Sequence, residues 1–116
     1  MSEHWRSSLF NEIINKLNYT SYLELGVSTG EYCWNSVICE KKVGVDSNPQ
    51  TIKDGVVCAL TYDFFSKLSK DEKFHLIFIH LNGKIDGEMV LYLLKYMETI
   101  KLYIQKIFLI KLNALY

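Results

Sequence analysis

Apolar residues follow two patterns along this chain, one typical of helices and one typical of buried strands. In region 5–17 they recur every three or four positions, which predicts an amphipathic helix built on Leu9, Phe10, Ile13, Ile14 and Leu17. In the predicted strand 74–79 the run Leu-Ile-Phe-Ile is continuous rather than alternating, as a parallel strand covered on both faces requires. The sequence also predicts strands at 21–25, 42–46, 56–60 and 107–110, a short helix at 31–37, a second short helix capped by Asp63 and a long helix at 86–101.

This order of elements predicts an α/β fold. Strands that alternate with helices form right-handed βαβ units, and such units build a parallel sheet with helices on its faces. With 116 residues the chain is long enough for one domain, and no linker or repeat divides region 1–116. We therefore expect a single three-layer domain.

Composition excludes several classes of partner. The chain has 13 basic and 13 acidic side chains, so no net charge favours nucleic acid or an anionic membrane surface. Its cysteines, Cys33, Cys39 and Cys58, are odd in number and lack C-x-x-C spacing, which favours free thiols in a reducing compartment. No apolar segment is typical of a secretion signal or a membrane span. We expect a cytoplasmic protein.

A glycine turn between two predicted strands is the strongest functional signal. The segment 22–30 reads as a strand followed by a turn with two glycines, and the next strand ends in Asp46, the layout of a nucleoside-cofactor site. A dinucleotide site needs glycine at the positions of Ser28 and Glu31, because these side chains would crowd and repel a pyrophosphate. An NAD- or FAD-dependent oxidoreductase is therefore the weakest alternative.

The spacing Glu24-x-Gly26-x-x-x-Gly30 resembles motif I of the class I S-adenosylmethionine-dependent methyltransferases. Region 43–46 with the Ser-Asn-Pro that follows looks like their next conserved segment, and the similarity is closest to the small-molecule family called methyltransferase domain 24. The resemblance implies a Rossmann-like parallel sheet of order 3-2-1-4-5, S-adenosylmethionine as cofactor and methyl transfer to a small-molecule acceptor, at oxygen. It covers roughly residues 20–100.

The resemblance also implies which residues bind the cofactor: Glu24, Gly26, Val27, Ser28, Thr29, Gly30, Asp46, Thr61, Tyr62 and Asp63. Glu24 would lie near the methionine ammonium, and a carboxylate buried in a strand without a partner would be costly otherwise. The two glycines would leave room for the cofactor, while Asp46 would accept hydrogen bonds from the ribose hydroxyls. Asp63 would bind the adenine amine, or it only caps a helix, and Asp46 is alternatively a solvated turn acid.

The chain departs from the family pattern after the predicted strand at 74–79. His80 stands where the family has an aspartate, so we expect no catalytic divalent metal. His80 is either a general base for an acceptor hydroxyl or a polar residue that closes the strand end.

The family's last two strands have no counterpart in the sequence, which would leave the apolar run 107–110 as a bare sheet edge. Either this edge pairs with another copy or another protein, or the chain is a truncated or degenerate version of a longer one. The main alternative function is accordingly a non-catalytic module that binds the cofactor but lacks the acceptor half.

Overall fold

The computed structural model describes residues 5–31, 33–48, 53–80 and 87–96 of the chain. Its helices are α1 (Trp5–Lys16), α2 (Thr61–Lys67) and α3 (Gly87–Lys95), and its strands are β1 (Ser21–Leu25), β2 (Lys41–Asp46), β3 (Val56–Cys58) and β4 (Leu76–Ile79). A single 3₁₀ turn at Trp34–Ser36 lies between β1 and β2. None of the helices in these ranges is long and apolar enough to cross a membrane.

The four strands form one parallel sheet in the order β3-β2-β1-β4. β1 is central, with Leu23 opposite Val43 on one side and Ile77 on the other, and all five of its residues are buried. The predicted α/β class and the order 3-2-1-4 are confirmed, and the arrangement is Rossmann-like. The predicted fifth strand at 107–110, and the edge pairing expected from it, lie outside the described residues.

Two hydrophobic cores cover the two faces of the sheet. Strand residues alternate between the faces, so Leu23 and Ile77 point into one core while Tyr22 and Phe78 point into the other. The first core contains Phe64, Phe65, Phe74, Met89, Leu93 and Tyr96 from α2, α3 and the segments beside them. The second contains Phe10, Ile14, Val27, Cys33, Trp34 and Val37 from α1 and the segment between β1 and β2.

Several predicted elements differ in extent from the observed ones. In place of the helix predicted at 31–37 the described residues contain one 3₁₀ turn, and the side chain of Lys42 binds the carbonyls of Trp34 and Val37 at 2.6 and 3.2 Å. Strand β3 ends at Cys58 rather than at position 60, and β4 begins at Leu76 rather than at 74. α1 buries Ser7, Phe10 and Ile14, whereas the predicted apolar positions Leu9 and Leu17 are exposed. The helix predicted at 86–101 is described only as α3, and 97–101 lie outside the described residues.

The prediction that Asp63 caps α2 is wrong. The helix starts two residues earlier, at Thr61, and its N-cap is Leu60, whose extended backbone makes no side-chain capping bond. Asp63 instead lies within the first turn of α2, where a negative charge interacts favourably with the helix dipole.

Candidate functional site

The candidate site lies where the four parallel strands end, an edge called here the carboxyl edge (Leu25, Asp46, Cys58 and Ile79). From β1 the chain passes to β2 and β3 on one side, and it then returns to place β4 on the other side of β1. Ligands of open α/β sheets bind at such a reversal, outside the carboxyl ends of the strands. The glycine turn, residues 26–30, begins at this reversal because it directly follows β1.

The backbone of the glycine turn alternates between ordinary and left-handed conformations. Gly26, Ser28 and Gly30 have φ values of +88°, +57° and +83°, which glycine adopts freely and serine does not. Ser28, at the position where a dinucleotide loop has its second glycine, therefore adopts the conformation of a glycine at a cost of about 1 kcal/mol. Strain of this kind persists where surrounding contacts hold it, and it is found most often at functional sites.

Asp46 holds the turn from the tip of β2. Its Oδ2 atom accepts the N–H of Ser28 at 2.7 Å, and its Oδ1 atom accepts the N–H of Asn48 at 2.8 Å. The N–H of Gly26 is bonded to the carbonyl of Val45 at 2.8 Å, which continues the sheet into the turn. Thus the structure brings the motif residue Ser28 directly against the acid predicted to bind a ribose. A carboxylate has about four acceptor positions, so Asp46 keeps capacity for further donors.

Lys53 holds the turn from the segment before β3. Its Nζ atom donates to the carbonyl of Thr29 and, at 3.2 Å, to Oδ1 of Asn35. A side chain on Gly30 would place its Cβ 2.7 Å from Asn35 Oδ1 and 2.8 Å from Lys53 Nζ. The space beside Gly30 is therefore filled by these two side chains, which gives this glycine a structural reason in addition to its predicted role at the cofactor.

Glu24, two residues before the turn, is in a polar cluster with the buried Tyr22 and Cys33 and the half-buried Lys42. The carboxylate is only 1 % exposed, and its Oε1 atom accepts the hydroxyl of Tyr22 at 2.6 Å. The Tyr22 oxygen also lies 3.6 Å from Cys33 Sγ. Both side chains from β1 point to the same face because residues two apart in a strand share a face.

Burial dominates the ionisation of this cluster. Loss of solvation raises the pKa of Glu24 from 4.5 to about 7, although hydrogen bonds from Tyr22 and Cys33 and the charge of Lys42 lower it. Burial and the neighbouring carboxylate raise the pKa of the Tyr22 hydroxyl and of the Cys33 thiol, so both stay protonated. The pKa of Lys42 is lowered by burial, while Glu24 opposes that change.

Lys42 ties the cluster to the segment between β1 and β2. Its ammonium lies 4.3 Å from the centre of the Trp34 ring, in addition to its bonds with the carbonyls of Trp34 and Val37. A cation over an indole face is stabilised by the ring quadrupole. The direct contacts of Lys42 are therefore with the 3₁₀ turn and the residue after it, and its effect on Glu24 is limited to its charge.

The remaining predicted residues also lie at the carboxyl edge. The N–H of Ala59 is bonded to the carbonyl of Asp46 at 3.0 Å, so the start of α2 follows directly beside the tip of β2. Thr61, Tyr62 and Asp63 form the first turn of α2, and the ring of Tyr62 lies edge-on to Tyr92 of α3 at 6.0 Å.

His80 follows β4 on the other side of the reversal. Its N–H donates to the carbonyl of Leu25 at 2.8 Å, which places it beside the start of the glycine turn, and its ring lies 5.9 Å from that of Phe78. In the described ranges no group of three acidic, histidine or cysteine side chains could hold a metal ion.

Sequence reasoning missed Tyr22, Lys42, Lys53 and Asn35. Tyr22 could have been found, because a tyrosine two positions before a buried glutamate must lie on its face of the strand. Lys53 and Asn35 had no such signal. Lys53 is 24 positions from Thr29 in the chain, and Asn35 lies after the turn, in the 3₁₀ segment. Their roles depend on how β3 and the 3₁₀ turn pack against β2.

Comparison with known proteins identifies the fold. No protein-family model and no curated protein matches the sequence. Among solved structures, the chain is similar to a crystal structure from Klebsiella pneumoniae described as a "putative O-methyltransferase", with a TM-score of 0.63, 13 % sequence identity and 80 % of this chain covered. The chain spans 50 % of the length of that protein. At this identity the similarity shows a shared α/β fold.

Proposed function

We propose that this chain binds S-adenosylmethionine at the carboxyl edge and transfers its methyl group to an oxygen of a small-molecule acceptor. The observation that carries the proposal is the bond between the Ser28 N–H and Asp46 Oδ2. It joins the glycine turn to the acid at the next strand's tip, at the point where the strand order reverses. This is where an α/β sheet binds a nucleoside ligand.

The donors and acceptors at this edge fit a cationic nucleoside better than a phosphate ligand. Asp46 provides a carboxylate with remaining acceptor positions for two ribose hydroxyls, and such charge-assisted bonds are the stronger kind. Glu24, two residues before the turn, would favour a ligand ammonium electrostatically in its ionised form. Ser28 and Glu31 leave no glycine-lined place for a pyrophosphate.

The cofactor would supply an activated methyl group on its sulfonium, so the protein's task is mainly to align an acceptor with it. His80 lies at this edge, and histidine is the side chain that most often serves as a general base. Its place beside the first residue of the glycine turn makes it our candidate base for an acceptor hydroxyl.

A second candidate function is cofactor binding without catalysis. The observation that favours it is the identity of residue 80, because the resemblance places an aspartate where this chain has histidine. In that case the carboxyl edge would bind the cofactor in the same way, and acceptors would not be methylated.

The proposal is tested by calorimetric titration with S-adenosylmethionine, S-adenosylhomocysteine and NAD. We expect the first two to bind and NAD not to bind, and Asp46→Asn should raise the dissociation constant about tenfold because it removes charge-assisted bonds. Asp71→Asn, an exposed acid in the turn after α2, is the matched control and should leave binding unchanged. Absence of binding by the unaltered chain would refute the proposal.

Turnover separates the two candidate functions. Methyl transfer is measured over a panel of phenols and alcohols, with a chelator present because we expect no metal requirement. Product formation that falls in His80→Gln while cofactor affinity stays constant would support catalysis with His80 as base. Tight cofactor binding with no product from any acceptor would support the non-catalytic module.

A further inference from the structure

Two opposite charges contact adjacent residues of the glycine turn. Asp46 accepts the N–H of Ser28, and Lys53 donates to the carbonyl of Thr29. Between these two bonds lies the peptide group joining Ser28 to Thr29. Within the described part of the chain, neither its carbonyl nor its N–H has a hydrogen-bond partner, and both residues are exposed. This peptide is therefore the section of the turn that stays open to solvent.

The contact with Lys53 is built into the shape of the turn. Gly30 has no side chain, and the position of a Cβ there would be 2.8 Å from Lys53 Nζ. Asn35 completes the arrangement, because its N–H is bonded to the carbonyl of Gly30 at 2.8 Å while its Oδ1 accepts Lys53 at 3.2 Å. Lys53 thus connects the turn, the 3₁₀ segment and the chain entering β3.

The turn needs such contacts because its conformation is not the one its sequence prefers. Ser28 has a φ of +57°, which a serine leaves readily unless neighbouring contacts hold it. If Lys53 were lost, the carbonyl of Thr29 would lose its only protein partner among the described residues. The peptide on one side of Thr29 would then be free to rotate, and Ser28 could relax away from Asp46.

We propose that Lys53 is a positioning residue that holds the glycine turn in the conformation that presents the Ser28–Thr29 peptide to the ligand. Lys53 acts through the Thr29 carbonyl and through Asn35, and it need not touch a ligand itself. The consequence for cofactor affinity rests on the proposed function, whereas the effect on the turn does not.

The test compares Lys53→Met, which keeps the length of the side chain without its charge, with Lys53→Arg, which keeps a cationic donor. Lys67→Met, on the exposed end of α2, is the control for loss of a surface charge. Hydrogen exchange is followed by NMR at the Ser28 amide and at the His80 amide, whose bond to Leu25 belongs to the sheet. We expect about tenfold faster exchange at Ser28 in Lys53→Met, with His80 unchanged.

Lys53→Arg should restore slow exchange at Ser28, and the dissociation constant for S-adenosylmethionine should rise about tenfold in the methionine variant alone. Unchanged exchange at Ser28 in Lys53→Met would overturn the inference. Equal acceleration at Ser28 and His80 would also overturn it, because Lys53 would then act only on global stability. If the unaltered chain fails to bind the cofactor, the proposed function fails, while the exchange comparison still decides the role of Lys53.

Discussion

Glu24 shows how burial and hydrogen bonding compete at one residue. Its carboxyl is nearly inaccessible and accepts the Tyr22 hydroxyl, and no cation lies close enough to form an ion pair with it among the described residues. Lys42 contributes charge from a distance but directs its hydrogen bonds to backbone carbonyls. The desolvation cost therefore exceeds the stabilising contacts, and the carboxyl binds a proton more readily than usual.

This imbalance predicts how stability varies with pH. Below about pH 4.5 Glu24 is protonated in both folded and unfolded chains, and between 4.5 and about 7 only the folded chain keeps the proton. The free energy of unfolding should therefore decrease as pH rises through this window. At higher pH both states are ionised and the folded chain bears the full cost, about 3 kcal/mol.

Urea unfolding of Glu24→Gln from pH 4.5 to 8 measures this effect. Relative to the unaltered chain, the glutamine variant should gain about 3 kcal/mol of stability between the two ends of the range. Glu12→Gln removes an exposed carboxylate of α1 that pairs with Lys16 at 2.9 Å, and it should follow the pH profile of the unaltered chain. Parallel profiles for Glu24→Gln and the unaltered chain would contradict the assignment.

At the scale of elements, strand β2 packs closely against the glycine turn, the 3₁₀ turn and β3 at Gly44. A Cβ on Gly44 would lie 2.7 Å from Val27 Cγ2, 3.1 Å from Trp34 Cζ3 and 3.2 Å from Val56 Cγ2. All three contacts are with side chains of the second core. This close packing is possible only because residue 44 has no side chain.

Gly44→Ala should therefore lower the free energy of unfolding by about 1–3 kcal/mol, the usual cost of overpacking. The matched control is Gly87→Ala at the start of α3, where nothing lies within 4 Å of the added methyl group. Alanine reduces the freedom of the unfolded chain there, so that variant should be unchanged or more stable by about 0.5–1 kcal/mol. Equal urea midpoints for the two variants would show that the close approach at Gly44 is absent in solution.

The elements also show which features can be predicted from sequence and why. A continuous apolar run of strand length indicates β4 as a strand covered on both faces, and the alternation of strands and helices predicts the parallel sheet. In the segment 31–37, by contrast, the described residues form only the 3₁₀ turn Trp34–Ser36, and Lys42 from the next strand binds the carbonyls of Trp34 and Val37. The sequence pattern within one segment does not indicate which hydrogen bonds that segment makes to another element.

The same limit applies to the site. Glu24, the two turn glycines and Asp46 could be located from spacing alone, since adjacent parallel strands bring their ends together. The contacts of Lys53 depend on a register, Gly44 opposite Val56, that no short-range pattern specifies. The sequence predicts Asp63 as the cap of α2 because Asp is a common capping residue, whereas the observed N-cap, Leu60, is not.

At the scale of the whole molecule, the two cores are joined through the central strands. Successive residues of β1 enter opposite cores, as Tyr22 and Leu23 do, and β4 behaves in the same way with Ile77 and Phe78. Neither core can lose its strands without removing one wall of the other. We therefore expect the described region to unfold in one cooperative transition.

Phe65→Leu tests this coupling, because Phe65 lies in the first core, stacked on Tyr96 at 5.4 Å, while Trp34 is buried in the second. The smaller side chain should lower the free energy of unfolding by about 1–2 kcal/mol. With Trp5 replaced by Phe in all variants, so that Trp34 is the remaining tryptophan, the urea transition seen by Trp34 fluorescence should move as far as the transition seen by circular dichroism. Leu91→Ala, at a position of α3 that is 69 % exposed, should move neither transition measurably. A shift in circular dichroism without a shift in Trp34 fluorescence would mean that the cores unfold separately, since a shared central strand requires both probes to report one event.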